Sequence, residues 1–386
     1  MKHKILHVMN SFSVPSQTFI YDLIVGLEAD GEFCNHVFYY KKRMLEAERP
    51  FPKVISSSEV AKRCLSWWDR STLVHSKEEI RAKALLDYIE EQQIALLHCH
   101  FIWVIWGCLQ GIIDRIPESI PIVVSAHGTD VTDAIGNGIK LDSIRAVLSR
   151  KNMVFTGSTA YMRDLLGQVG VPEARFRMLP NAVNSRFFSE RKKHFFQTGE
   201  KFKCITNGRL VAWKGHEYLI KAVAEFRKQV YINVELTILG DGQFKPYLQG
   251  LVNELGLANV VRFIGTVPHA DIPGVLAEHD VYVQPSIVDK GTRQTESFGV
   301  AVLEAIAVGL PVIVSDVGGL PYVIGEQNKF ATLVSPGDVA ALRSALAQVF
   351  ASISDNTPYA KDRVAEYSPA KQLESCKSIY RGVLIE

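Results

Sequence analysis

At 386 residues the chain exceeds one ordinary domain and is comfortable as two. With 47% hydrophobic and 22% charged residues it is a globular protein with full cores, which excludes a disordered chain. A net charge of +2 excludes the global basic field of a nucleic-acid binder, although residues 41–83 are locally basic, with eleven Lys/Arg against six Asp/Glu.

Short apolar runs alternate with helical patterns from end to end, the signature of βαβ units and parallel sheets. The first half predicts strands near residues 5–9, 34–39, 95–98, 122–125, 153–156 and 177–179. Helices are predicted near 16–27, 77–91, 102–113, 140–149 and 159–169. The apolar window 94–113 has membrane length but contains His98, His100 and Gln110 and divides into strand, turn and helix, so a membrane span is rejected. A polar, turn-rich stretch from Pro180 to Glu200 marks a boundary. A second series of strands follows near 202–206, 234–239, 260–263, 281–283, 312–314 and 332–334, and residues 369–384 form an amphipathic helix. The expected domains are 1–190, 200–368 and a terminal helix within 369–386. The six cysteines show neither Cys-x-x-Cys nor a ligand spacing with His, so they are expected as free thiols in a reducing compartment. The N-terminus enters a strand-like run without a leader pattern, which favours a cytoplasmic location.

Glu296 and Glu304 carry the most chemical information. They flank Gly299 and a predicted helix at 300–308, which Gly309 ends. A loop feeding a helix N-terminus suits a phosphate, and flanking carboxylates suit sugar hydroxyls. After the first strand of the second half stands Asn207-Gly208-Arg209-Leu210-Val211-Ala212-Trp213-Lys214-Gly215. Its forked guanidinium and point-charge ammonium match two adjacent phosphates. A nucleotide sugar fits this combination. No Gly-x-Gly-x-x-Gly or Gly-Lys-Ser/Thr is suitably placed, which counts against a nicotinamide dehydrogenase and a P-loop kinase.

These motifs, with Val281-Tyr282-Val283-Gln284-Pro285-Ser286 and Pro311 to Pro321, resemble retaining family-4 glycosyltransferases. The resemblance implies an α/β protein of the GT-B fold, with two Rossmann-like domains facing each other across a deep cleft. It places Arg209 and Lys214 on the donor diphosphate, Gly265 and Val267 near the base, and Ser297, Phe298, Gly299 and Glu304 on the donor. Glu296 and His127, the latter in Ser125-Ala126-His127-Gly128-Thr129-Asp130, would be catalytic. Ser16, Gln17 and His100 would line an acceptor or phosphate loop, Ser16 also capping the helix after it. The run from Pro15 to Ile20 resembles Pro-x-x-Ser-Glu-Thr-Phe-Ile of surface-polysaccharide enzymes, with Gln17 in place of Glu. Ala182 stands where the family has Gly, and Tyr322 where it usually has Glu.

The resemblance implies a metal-independent hexosyltransferase with no cofactor. It would use a nucleotide-sugar donor and a glycan or lipid-linked acceptor in polysaccharide or lipopolysaccharide assembly, and would not bind nucleic acid. A nucleotide-sugar epimerase, a glycan phosphorylase or a catalytically silent sugar-nucleotide-binding module remain alternatives. Residues 41–83, with Trp67 and Trp68, would either touch the inner membrane face or pack on the N-terminal domain. The terminal helix would cross back to that domain.

Overall fold

The computed structural model describes residues 2–14, 17–64, 77–105, 109, 112–188, 199–325, 330–351 and 362–385. They divide into two compact units, residues 1–180 with 369–386, and residues 181–368.

The first unit runs β1 (Lys4–Phe12), α1 (Thr18–Asp30), β2 (Cys34–Arg43), β3 (Val54–Ser56), α2 (Ser57–Cys64), α3 (Lys77–Gln92) and β4 (Leu96–His100). It continues with β5 (Ile122–Ser125), α4 (Thr129–Ile135), α5 (Gly138–Val147), β6 (Met153–Gly157), α6 (Ala160–Gln168) and β7 (Phe176–Met178). These strands form one sheet in the order β3-β2-β1-β4-β5-β6-β7, with parallel pairings throughout. β4, β5 and β6 are buried along their whole length, because helices cover both faces of a parallel sheet. The chain order reverses between β1 and β4, where an open α/β sheet leaves a crevice at its strand C-termini.

The second unit repeats this plan with β8 (Phe202–Asn207), α7 (His216–Gln229), β9 (Val234–Leu239), α8 (Lys245–Glu254), β10 (Val261–Gly265), α9 (Ile272–Ala277) and β11 (Val281–Gln284). It closes with α10 (Val300–Val308), β12 (Val312–Ser315), α11 (Leu320–Ile324), β13 (Ala331–Val334) and α12 (Val339–Ala351). Its strand order is β10-β9-β8-β11-β12-β13, so the reversal falls between β8 and β11.

The last helix, α13 (Pro369–Ile385), belongs to the first unit. It buries Cys376 and Tyr380 against Leu23, Leu27 and Phe33, and the Tyr380 hydroxyl lies 2.6 Å from His98 Nδ1. Arg381 reaches Glu32 at 2.6 Å and Lys377 reaches Asp30 at 2.9 Å along its edge.

Three local features depart from the sequence reading. Residues 181–188 were expected with the first half, yet Val183 and Phe187 are buried in the core of the second. β3 and α2 were not anticipated. Helix α1 begins at Thr18, with Gln17 at the cap position making no side-chain cap bond; Ser16 and Trp67-Trp68 lie outside the described residues. Of the helix expected at 102–113, residues 103–105 and 109 are helical, residues 106–108, 110 and 111 lie outside the described residues, and a 3-10 turn follows at Ile113–Arg115. No helix among the described residues is long and apolar enough to cross a membrane.

Candidate functional site

In the second unit the charged residues gather where the strand order reverses. The loop after β8 carries Arg209 and Lys214, and that after β11 carries Glu296. Lys214 Nζ is ion-paired to Glu296 Oε1. The same oxygen accepts from Gln284 Nε2 at 3.0 Å and from Ser286 Oγ at 3.2 Å. Tyr282, fully buried in β11, donates to Gln284 Oε1 at 2.7 Å and so fixes which way that amide faces. The Glu296 carboxylate is thus held through one oxygen, and Oε2 makes no hydrogen bond to a described residue. Trp213 lies beneath both cations, its ring 4.8 Å from Lys214 Nζ and 6.0 Å from the Arg209 guanidinium carbon. Arg209 is exposed and has no ion pair with a described residue.

Glycine makes this convergence possible. Gly215 has φ +71°, and a Cβ there would stand 1.8 Å from the Pro285 carbonyl oxygen. Any larger residue would push the Lys214 loop away from the β11 loop. Gly319 similarly lies against the Ser297 carbonyl, where a Cβ would come within 2.0 Å, and its N–H donates to the Glu296 carbonyl at 2.8 Å.

Glu304, just over one turn into α10, is also buried; His269 Nε2 lies 2.8 Å from its Oε1. The His269 ring is 5.2 Å from that of Phe187. Gly299 caps α10 with φ +95°; its carbonyl accepts from the N–H groups of Val302 and Leu303, which leaves those of Val300 and Ala301 without an acceptor in the helix, an arrangement that suits an anion.

The first unit collects histidines instead. His7 on β1 and His98 and His100 on β4 are buried, and their ligating nitrogens lie within 4.8 Å of one another. Hydrogen bonding assigns their tautomers. Asn35 donates Nδ2–H to Glu28 at 3.3 Å, so its Oδ1, 3.1 Å away, accepts from His7 Nε2–H. Burial holds the His7 pKa down to about 4, so the ring is neutral and Nδ1 accepts from His100 Nε2–H at 3.0 Å. Burial likewise keeps His100 neutral, and its bare Nδ1 meets no partner among the described residues. His98 is spent between Tyr380 at 2.6 Å and Ser125 Oγ at 2.7 Å. A cation among these rings would have to break that network.

His127, after β5, packs against Phe101 and Phe19 at 4.5 and 5.1 Å between ring centres. Desolvation pulls its pKa down to about 3. Asp130 accepts from the backbone N–H of His127 at 3.0 Å and of Ile102 at 2.8 Å, tying the loops after β4 and β5 together. Phe101 sits at φ +74°, a strained conformation for a bulky residue. Beside it a pocket of about 570 Å³ opens at the strand ends, with Gln17, Phe101 and Trp103 in its lining.

The comparisons with known proteins agree with this architecture. Residues 187–361 match the family model "Glycosyl transferases group 1", and residues 16–187 match "Glycosyltransferase Family 4". The chain belongs to the family-4 glycosyltransferases. A GDP-mannose-dependent alpha-(1-6)-phosphatidylinositol monomannoside mannosyltransferase of Mycolicibacterium smegmatis is 29% identical over 60% of this chain and 61% of its own. An uncharacterized glycosyltransferase of Methanocaldococcus jannaschii is 31% identical over 54% and 55%. The chain thus spans roughly three fifths of the length of the curated relatives it matches. The solved sucrose-phosphate synthase of Thermosynechococcus elongatus superposes with a TM-score of 0.74 at 20% identity, covering 100% of both chains. A glycosyltransferase from Rickettsia africae gives 0.74 at 16% over 99% of each. At such identities the likeness establishes the fold, which is GT-B.

Within this family-4 chain, the second unit brings together Lys214, Glu296, Ser297 and Gly299, with Arg209 on the same loop as Lys214. Phe298 is core, its ring buried against Tyr367, so only its backbone is open to a ligand. Gly265, at φ +74°, is bridged to Gly240, and Val267 follows it in the loop that delivers His269. In the first unit His127 and His100 stack with ring centres 6.3 Å apart, and Gln17 lines the pocket. The sequence reading missed Trp213, Gln284, Ser286, His269 and the His7–Asn35 relay. Trp213, inside the Arg209–Lys214 motif, and Gln284 and Ser286, inside the Val281–Ser286 run, stood in motifs the sequence already singles out.

Proposed function

We propose that this chain transfers a hexose from a nucleotide-diphosphate sugar to a glycan or lipid-linked acceptor, with retention of configuration and without a metal, in surface-polysaccharide assembly. The observation carrying this reading is the Lys214–Glu296 pair, braced by Gln284 and Ser286 at the strand-order reversal of the second unit.

Breaking the sugar–phosphate bond leaves charge on the diphosphate, and a cation already in position stabilises it without reorganising. Lys214 and Arg209 supply that charge over the Trp213 face, and the first turn of α10 adds N–H donors. Glu296, anchored through Oε1, offers Oε2 to the donor sugar's hydroxyls, and Glu304 offers its second oxygen to the ribose. His127 stays neutral, so it acts as a hydrogen-bonding group and not as an acid. Retention follows from attack on the face the diphosphate leaves. The acceptor hydroxyl forms the new C1–O bond as the C1–O(phosphate) bond breaks, and its proton passes to the departing phosphate oxygen. A lipid-linked acceptor is favoured by the phosphatidylinositol monomannoside named for the mannosyltransferase relatives.

The test incubates the protein with a panel of nucleotide sugars and glycan acceptors, with and without EDTA. Acceptor-dependent release of nucleoside diphosphate, unchanged by the chelator, is expected. Interconversion of the sugar while it stays on the nucleotide would indicate an epimerase, and binding without turnover a silent module.

A further inference from the structure

The pocket of the first unit has a charge pattern that selects its occupant. Besides Phe101 and Trp103 its walls include Lys41 at the end of β2, Arg81 on α3, and Lys140 on α5. One carboxylate, Asp133, also lines it, and Lys140 Nζ already lies 2.5 Å from that group. Lys41 and the half-buried Arg81 make no hydrogen bond or ion pair with a described residue. Two cations therefore remain uncompensated by any described residue in a concave site.

The rest of the lining narrows the ligand further. Asn10, Ser11 and Gln17 add neutral polar groups near the ends of β1 and the start of α1. Phe101 and Trp103 stack with ring centres 5.1 Å apart and planes 13° apart, a flat apolar wall of the kind sugar C–H faces lie against. The wall is held in place at a cost, because Phe101 keeps a left-handed backbone that a bulky residue avoids. A phosphate presents three free oxygens as a monoester and two as a diester, which a guanidinium fork and a point-charge ammonium share well. A neutral sugar would bring no counter-charge to either cation.

We infer that this pocket binds an acceptor bearing a phosphate next to its sugar or polyol ring, with Arg81 and Lys41 on the phosphate and the Phe101–Trp103 wall on the ring. This deepens the glycosyltransferase reading, on which the word acceptor rests; the phosphate selectivity rests on the pocket alone. The phosphate comes either from a membrane phospholipid headgroup or from a water-soluble sugar phosphate.

The experiment first saturates the protein with nucleoside diphosphate, so that the cations of the second unit are occupied. Calorimetry then compares myo-inositol 1-phosphate and glucose 1-phosphate with inositol and glucose. The phosphorylated ligands should bind at least ~10-fold tighter, as expected for charge-assisted hydrogen bonds. Lys41→Gln, a change at an exposed side chain, and Arg81→Gln should each erase most of that preference, while leaving nucleoside diphosphate binding unchanged. A parallel arm sediments the protein with phosphatidylcholine vesicles, with or without phosphatidylinositol. Phosphatidylinositol-dependent sedimentation lost in Lys41→Gln supports the site and assigns the phosphate to a lipid headgroup. Binding confined to the soluble phosphates supports the site and assigns it to a free sugar phosphate. Equal affinity for phosphorylated and plain ligands, or a preference that survives both variants, overturns the inference. If phosphate selectivity holds but no nucleoside diphosphate binds, the glycosyltransferase reading fails and the anion pocket stands.

Discussion

The two units share one strand order and put their polar side chains at the same place, yet they fill it with opposite chemistry. In the second unit the crevice residues are acid–base side-chain pairs in contact, Lys214 with Glu296, and Glu304 beside His269. In the first the residues on the strands at the reversal are imidazoles that burial keeps neutral, passing hydrogen bonds from His100 through His7 to Asn35, and the cations stand apart from them in the pocket wall. The topology fixes where a ligand binds, because strand C-termini splay at the reversal. It does not fix what binds. Preformed charge suits a diphosphate that gains charge as it leaves, whereas neutral rings suit hydroxyls that must be oriented and not ionised.

Acid should separate the units most strongly. His7, His98, His100 and His127 all have pKa values lowered mainly by burial, to about 4 for His7 and about 3 for His127. Above the unfolded histidine value of about 6.5 neither folded nor unfolded chain carries the protons, and stability is complete. As pH falls below that, the unfolded chain takes up protons that the folded unit refuses, so stability drops until the buried rings themselves protonate. For His7 alone the window from about 6.5 down to about 4 is worth up to roughly 3 kcal/mol. The second unit has His216 and His279 lowered in the same way, so it should lose less. Hydrogen exchange read by mass spectrometry at pH 7 and pH 4.5 is expected to show protection falling further in β1, β4 and β5 than in β8, β9 and β11. Equal losses would mean that the histidine cluster is not the acid-sensitive element.

The second comparison concerns catalysis. Glu296→Gln keeps the shape but removes the charge that Lys214 faces, so transfer should fall by ~10²-fold, the lower range for a positioned polar group. Affinity for the free nucleoside diphosphate should be largely kept, because Arg209 and the start of α10 are untouched. His127→Ala should also lose transfer while melting near the parent temperature. Transfer at the parent rate in either variant would remove that residue from the site.

How legible this was in the sequence depended on whether the signal was local. The limits of α10 were read correctly at 300–308, because glycines stand at both of its ends and good helix formers lie between. The parallel sheets followed from apolar runs bounded by turns. Partnerships were not legible, since Lys214 and Glu296 are 82 positions apart, His7 and His100 are 93, and His98 and Tyr380 are 282. Nothing in either local stretch marks such a pairing; only the folded sheet brings the strand ends together. The α1 cap misled for a different reason: a serine before an apolar run is a capping signal, but the helix started one residue beyond Gln17.

The smallest expected effect tests how Glu304 is positioned. Its buried carboxylate has Oε1 beside His269 Nε2 at 2.8 Å, a contact that restrains the carboxylate through that oxygen. If the second oxygen takes the ribose hydroxyls, Glu304→Ala leaves them unpaired, at roughly 1–3 kcal/mol, or about tenfold or more in nucleoside diphosphate affinity. His269→Ala removes only the restraint on the carboxylate, so its cost should be a few-fold, roughly the worth of one net hydrogen bond. A deoxyribose ligand separates positioning from packing. The parent protein should bind a 2′-deoxynucleoside diphosphate more weakly than the ribonucleotide, Glu304→Ala should bind both alike, and His269→Ala should fall between. That gradation is a coupling between ligand hydroxyl and protein side chain, which a merely structural role for either residue would not produce. If Glu304→Ala still distinguishes the two nucleotides as the parent does, the hydroxyl partner lies elsewhere, and the Glu304–His269 pair is a brace between α10 and the loop after β10.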